Sequence, residues 1–149
     1  ALLRAPGIYA ESRLPLDRLR QGTPVLVPED DVYTNHVHAD DLARAAVAAI
    51  FRGRANRAYN VTDDAEMKMG GWFDLVADAF HVPRPPRVTW EEAEQRIAPM
   101  LLSFMSESRR LSNARMKREL RVRLAWPTPD ALLRAVAPRE LKKQLALAL

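Results

Sequence analysis

A chain of 149 residues that is 48% hydrophobic and 28% charged can bury one real core and has the composition of an ordinary soluble globular protein. With zero cysteines it excludes disulfides and thiolate metal sites, and it fits a reducing cytoplasm, the expected location. No run is long and apolar enough to span a bilayer and no basic-then-apolar leader opens the chain, so no membrane partner is expected.

The net charge of +4 is uneven: residues 76–149 carry 14 Lys and Arg against 8 Asp and Glu, whereas residues 1–75 carry 9 against 11. Much of the excess is Arg109, Arg110, Arg115, Lys117, Arg118, Arg121 and Arg123. Such a stripe can bind nucleic acid or a phosphorylated ligand, but most runs of this kind are solvated helix faces, and that plainer reading is preferred.

Ala1-Leu2-Leu3-Arg4 reads as the end of a buried strand whose pairing neighbour should lie elsewhere. Pro6-Gly7-Ile8-Tyr9 is expected to turn the chain out of it. Leu14, Leu16 and Leu19 suggest a short helix stopped at Gly22, and Pro24–Pro28 a short edge strand. An acidic turn, Glu29-Asp30-Asp31, leads to Tyr33-Thr34-Asn35-His36-Val37-His38-Ala39-Asp40-Asp41-Leu42. There an amide, two imidazoles and two carboxylates stand before a helix. Asp40 or Asp41 is the expected N-cap, Leu42, Ala45, Ala46, Ala49 and Ile50 the buried stripe, and Gly53 the stop.

Arg57–Thr62 reads as a strand closed by Asp63-Asp64, which completes a strand-helix-strand spacing suited to a parallel crossover. Gly70-Gly71 precedes a helix with Phe73, Val76, Ala77 and Phe80 on one face, and Arg87-Val88-Thr89 is extended. Thr89-Trp90-Glu91-Glu92 has capping-box form. Pro99 restarts the helix, with Ile97, Met100, Leu101, Phe104 and Met105 as its apolar stripe. Ser112 caps the basic helix that ends near Leu120. Thr128-Pro129 opens another helix, and Leu141, Leu145 and Leu149 mark a last amphipathic one after Pro138.

Chemistry is sparse. His36 and His38, two apart on an extended segment, share a face and could meet a cation. His81 is the only other histidine, so a dinuclear site lacks imidazoles and no metal is expected. There is no Gly-x-Ser-x-Gly elbow, no glycine-rich phosphate loop, and Ser103, Ser106 and Ser108 lie near no histidine in sequence. Asp63 and Asp64 are read as strand enders. Four residues beyond Tyr9, Tyr33 and Tyr59 stand Arg13, Val37 and Asp63, never lysine.

Several segments together resemble the carboxy-terminal part of an extended short-chain dehydrogenase/reductase of the NAD-dependent epimerase/dehydratase family. Leu3-Arg4-Ala5-Pro6-Gly7-Ile8-Tyr9 resembles the Arg-x-Pro-x-x-Tyr strand exit. Asn35–Ala43 resembles Asn-x-Ile/Val-His-x-Asp-Asp-x-Ala, and Arg57–Asp63 the Tyr-Asn-Val strand. Asn113–Leu120 with Trp126-Pro127-Thr128 resembles the closing Lys-Arg-Glu-Leu … Tyr-Pro-Thr segment.

The resemblance implies an α/β chain with a partial Rossmann-type fold. It would hold the last strands and helices of the parallel sheet (residues 1–66, with lid segments) and a small, mostly helical substrate-binding domain (residues 67–149). It implies NAD or NADP in a parent protein. This chain lacks the Gly-x-x-Gly-x-x-Gly loop and the Tyr-x-x-x-Lys pair, so no residue is assigned as catalytic and no tight cofactor binding is expected of the chain alone. By resemblance Pro6, Gly7 and Tyr9 lie beside the nicotinamide, and Asn35 and His38 beside the substrate. His38 has a second reading, as a side chain that bonds backbone where the helix begins. The expected partners are a small-molecule substrate and a missing amino-terminal Rossmann half, with a second copy implied by the family's habit of dimerising; nucleic acid is not among them. The competing hypothesis is a stand-alone module that uses residues 109–123 to bind nucleic acid or anionic ligands.

Overall fold

The computed structural model describes residues 1–147, with residues 140–147 described through their helical backbone alone. The chain divides into two compact units, each stitched from three stretches: residues 1–13, 35–66 and 110–132 form one, and residues 14–34, 67–109 and 133–149 the other. The units therefore interleave instead of following chain order.

In the first unit, β1 (Leu2–Arg4) pairs in parallel with β6 (Ala58–Asn60), and β2 (Gly7–Tyr9) pairs in parallel with β5 (His36–His38). The expected turn at Pro6–Tyr9 is thus a strand. Proline, which lacks an N–H, sits at the bend between two ladders, and the Gly7 N–H donates to the Asn35 carbonyl at 3.2 Å. A Cβ at Gly7 would lie 3.2 Å from the His36 ring, tighter than an ordinary contact. Leu2 is 56% exposed, so the first strand is not buried here.

Helix α2 (Ala39–Arg52) crosses from β5 to β6, which do not pair with each other; each pairs with the 2–9 segment. Its N-cap is His38 rather than Asp40 or Asp41, and Gly53 ends it as expected. Leu42, Ala45, Ala48 and Ala49 pack inward, whereas Ala46 is exposed and Ile50 is 78% exposed. The stripe is shifted because α2 lies over Val37, Tyr59 and Val61 and under a π-helical turn, Met116–Leu120, whose Met116 and Leu120 are fully buried. Burying side chains of that size contributes about 1.5–3 kcal/mol each. Arg57 fixes this turn to β6 by a two-pronged pair with Glu119 (3.0 and 2.5 Å), and the Tyr59 hydroxyl donates to the same carboxylate at 3.2 Å.

The second unit holds α1 (Leu16–Arg20), followed by Gly22 in the left-handed region (φ 65°). Two short ladders follow, β3 (Val25–Leu26) parallel to β8 (Arg87–Val88) and β4 (Tyr33–Thr34) antiparallel to β7 (Met67–Lys68). In the first turn of helix α3 (Met69–Ala79) stands Gly70, where a Cβ would displace the Arg87 guanidinium and the Asp31 carboxylate, and the Gly70 N–H donates to Asp31 at 2.9 Å. The capping box at Thr89 opens α4 (Trp90–Arg96) as read from sequence, and Pro99 is the N1 residue of α5 (Pro99–Met105). Ala93, Ile97 and Met105 are buried against Leu26 and Val88, but Met100 (77%) and Phe104 (63%) point out. Pro138 starts no new helix; it lies within α6 (Pro129–Leu147). The side chains of Leu141, Leu145 and Leu149 lie outside the described residues.

Candidate functional site

Every residue singled out by the sequence, Pro6, Gly7, Tyr9, Asn35 and His38, falls in the first unit, around the β2–β5 ladder. The register sets Tyr9 against His38 and Gly7 against His36, so both imidazoles share one face of β5. The Tyr9 ring meets both edge-on, with centroids 5.3 Å from His38 and 6.3 Å from His36, and Trp126 covers His38 at 4.9 Å.

Tyr9, His36 and His38 are buried, at 2%, 7% and 5% exposure. Burial lowers the pKa of His36 to about 4. It also lowers that of His38, against the opposing pull of Asp40 and Asp41. Both rings are therefore neutral at pH 7. The His38 Nδ1 accepts the Asp40 N–H at 3.2 Å, which leaves the proton on Nε2. This is the backbone-bonding role.

Asn35 is likewise engaged, its Oδ1 accepting the Leu111 N–H at 2.8 Å and fixing the start of the 110–113 segment. In the 6–9 segment the solvent-facing residue is Gly7, with Pro6 half-buried. The Tyr9 hydroxyl donates to the Trp126 carbonyl at 3.4 Å.

Two carboxylates below this cluster carry more than the sequence suggested. Asp41 is completely buried and accepts the Ala125 and Trp126 N–H groups at 2.9 and 2.8 Å, with Arg44 at 3.2 Å. It is a clasp that holds the Trp126 loop over His38, not a helix cap. Asp63, 4% exposed, accepts the Ala65 N–H at 3.0 Å and faces Tyr9. Burial drives its pKa up to about 7, above the usual carboxylate range, although the Ala65 and Tyr9 hydrogen bonds pull it back. Burial raises the Tyr9 phenol as well, and the Asp63 charge adds to that.

Next to it, Asp64 accepts from Asn113 (2.7 Å) and Lys117 (2.5 Å), which hold it below its ordinary value despite partial burial. Nothing in the sequence marked Asp63 apart from a strand ender. Its environment is made in part by Tyr9 and Asn113, each fifty or more positions away in sequence.

Among the described residues no three of His, Cys, Asp and Glu converge as metal ligands. No described helix is long and apolar enough to cross a membrane. The glycine-rich cradle that would hold a pyrophosphate is absent from the sequence. The 6–9 and 35–38 segments thus present an exposed backbone at Gly7 and, beneath Trp126, a buried neutral imidazole at His38.

No protein-family model and no curated protein matches the sequence. Solved structures do. A functionally unknown conserved protein from Silicibacter pomeroyi is 31% identical, with a TM-score of 0.79 over 92% of this chain and 48% of that one. A human epimerase family protein, solved with NADPH, is 13% identical, with a TM-score of 0.71 over 91% of this chain and 47% of its own. The UDP-glucose 4-epimerase of Thermotoga maritima, solved with UDP-glucose, is 15% identical, with a TM-score of 0.66 over 97% and 46%. The chain spans about half the length of the structures it matches. The parallel ladders of the first unit, the crossover helix and the helices of the second are thus those of a partial Rossmann-type α/β fold, the fold of the epimerase-type short-chain dehydrogenase/reductase proteins, shared with them over about half their length.

Proposed function

We propose that this chain is the carboxy-terminal, substrate-side portion of an NAD(P)-dependent epimerase, dehydratase or reductase of the sugar-nucleotide type. It supplies a wall of the substrate pocket and the loop beside the nicotinamide, and it does not carry out the reaction alone. In this reading Pro6, Gly7 and Tyr9 stand next to the cofactor, and Asn35 and His38 next to the substrate. The observation that carries the reading is the shared fold over about half the length of epimerase structures, one of them solved with NADPH and another with UDP-glucose. The missing Gly-x-x-Gly-x-x-Gly and Tyr-x-x-x-Lys elements agree with it, because those are the parts that hold the pyrophosphate and move the proton. The parent enzyme acts in the cytoplasm on a small polar substrate.

Calorimetry tests this directly. The 149-residue chain should bind NADH or NADPH only weakly, whereas a polypeptide extended upstream by a glycine-rich Rossmann half should bind one of them stoichiometrically. Tight one-to-one binding by the chain alone would refute the proposal.

A further inference from the structure

The basic run from Arg109 to Arg123 is not one stripe in three dimensions. Arg121 and Arg123 border a groove of about 550 Å³ floored by Val47 and Phe51. Arg115 and Arg118 instead share a separate hollow of about 410 Å³ with Arg4, Asn60 and Ser112. Lys117 is engaged by Asp64 at 2.5 Å, Arg110 lies 3.4 Å from Glu66, and Arg109 pairs with Glu107. The cations are divided among faces and partners, which does not suit the continuous contact that a nucleic-acid backbone needs.

The second hollow has the composition of an anion site. Arg4 and Asn60 are register partners and the last residues of two parallel strands, β1 and β6. That end of a parallel sheet is where ligands gather in α/β folds. Among the described residues no acidic side chain lines the hollow. The carboxylate nearest Arg118 is Glu119, at 3.6 Å, and Arg57 already holds it in a two-pronged pair. Arg115 donates one nitrogen to the Ala58 carbonyl at 2.8 Å, which fixes the side chain against β6 without cancelling its charge. Asn60 donates to the Ser112 carbonyl at 3.3 Å and ties the rim together. The Ser112 hydroxyl accepts the Ala114 N–H at 3.4 Å and keeps its own proton to give. Three guanidinium forks, with a hydroxyl beside them, match the oxygens of a phosphoryl group.

We propose that Arg4, Arg115, Arg118, Asn60 and Ser112 form a binding site for the phosphate or diphosphate group of a small molecule. The site shares no residue with the Pro6, Gly7, Tyr9, Asn35 and His38 wall and stands whether or not the parent enzyme is the one proposed above. All three arginines are exposed, so changing them leaves the core intact.

Titrating the 149-residue chain with pyrophosphate, followed by amide chemical shifts, should give saturable changes centred on Arg4, Asn60 and Ser112. Arg4→Gln and Arg118→Gln should each weaken binding about tenfold or more, the usual effect of losing a charge-assisted bond, while Arg123→Gln should leave it unchanged. Displacement of pyrophosphate from the same residues by a nucleoside diphosphate assigns an organic ligand, and displacement only by orthophosphate assigns the inorganic ion. Absence of saturation overturns the proposal, as does equal weakening by Arg123→Gln. An oligonucleotide that displaces pyrophosphate and loses affinity at both Arg118 and Arg123 would also overturn it, in favour of a nucleic-acid face.

Discussion

Asp63 gives the first unit a pH response that can be worked out from its sign. Its pKa is about 7 folded, against an ordinary 3.8, so between these values the unfolded chain ionises while the folded chain stays protonated. Stability is therefore highest below about pH 4 for this group and falls as pH rises toward 7, by up to about 4 kcal/mol from the linkage relation. His36 acts the other way between about 4 and 6.5, since its buried ring resists protonation. The diagnostic is thus the difference between two proteins. Urea midpoints at pH 5 and pH 8 should show Asp63→Asn gaining on the parent chain as pH rises, and parallel curves would mean that Asp63 ionises freely in the fold. At this scale the sequence was a partial guide. It marked His38 as either substrate contact or backbone partner, and the geometry shows the backbone bond. It read Asp41 as a cap, because nothing local reveals that Ala125 and Trp126, over eighty residues on, donate both their amides to it.

Whole elements were more legible than single side chains, because caps and turns act over three or four residues. Thr89 and Glu92 form the reciprocal capping pair that their spacing implied, at 3.3 and 3.0 Å. Thr89→Ala should cost about 1 kcal/mol, as N-cap losses commonly do, and lower the thermal midpoint by a few degrees in calorimetry. Thr89→Ser should restore most of it, and an unchanged midpoint for the alanine variant would show that α4 is held by packing alone. The elements that sequence misread are those whose partners are distant. Gly7–Tyr9 became a strand because His36–His38 lies alongside it. The α2 stripe rotated toward Ala48 because the Met116–Leu120 turn covers that side. A proline in the middle of α6 was tolerated where periodicity suggested a break.

For the molecule as a whole, the resemblance carried by the order of the motifs implied a partial α/β fold; the expected parts, 1–66 and 67–149, were drawn in chain order, and the compact units interleave across them. Strand β8, in the later part, pairs with β3 in the earlier part, and β7 with β4. Pieces 1–66 and 67–149 expressed apart should each lack cooperative urea unfolding, and mixing them should restore a single transition. A sharp transition in either piece alone would show a self-sufficient domain.

The same threefold stitching sets a timetable for synthesis. The ribosome must deliver the stretch ending at Leu132 before Leu3, Val37 and Tyr59 can be sealed beneath Met116 and Leu120. Until then the nascent strands wait with their apolar faces wet, and slow, long-range closure of this kind leaves a chain open to aggregation and to chaperones.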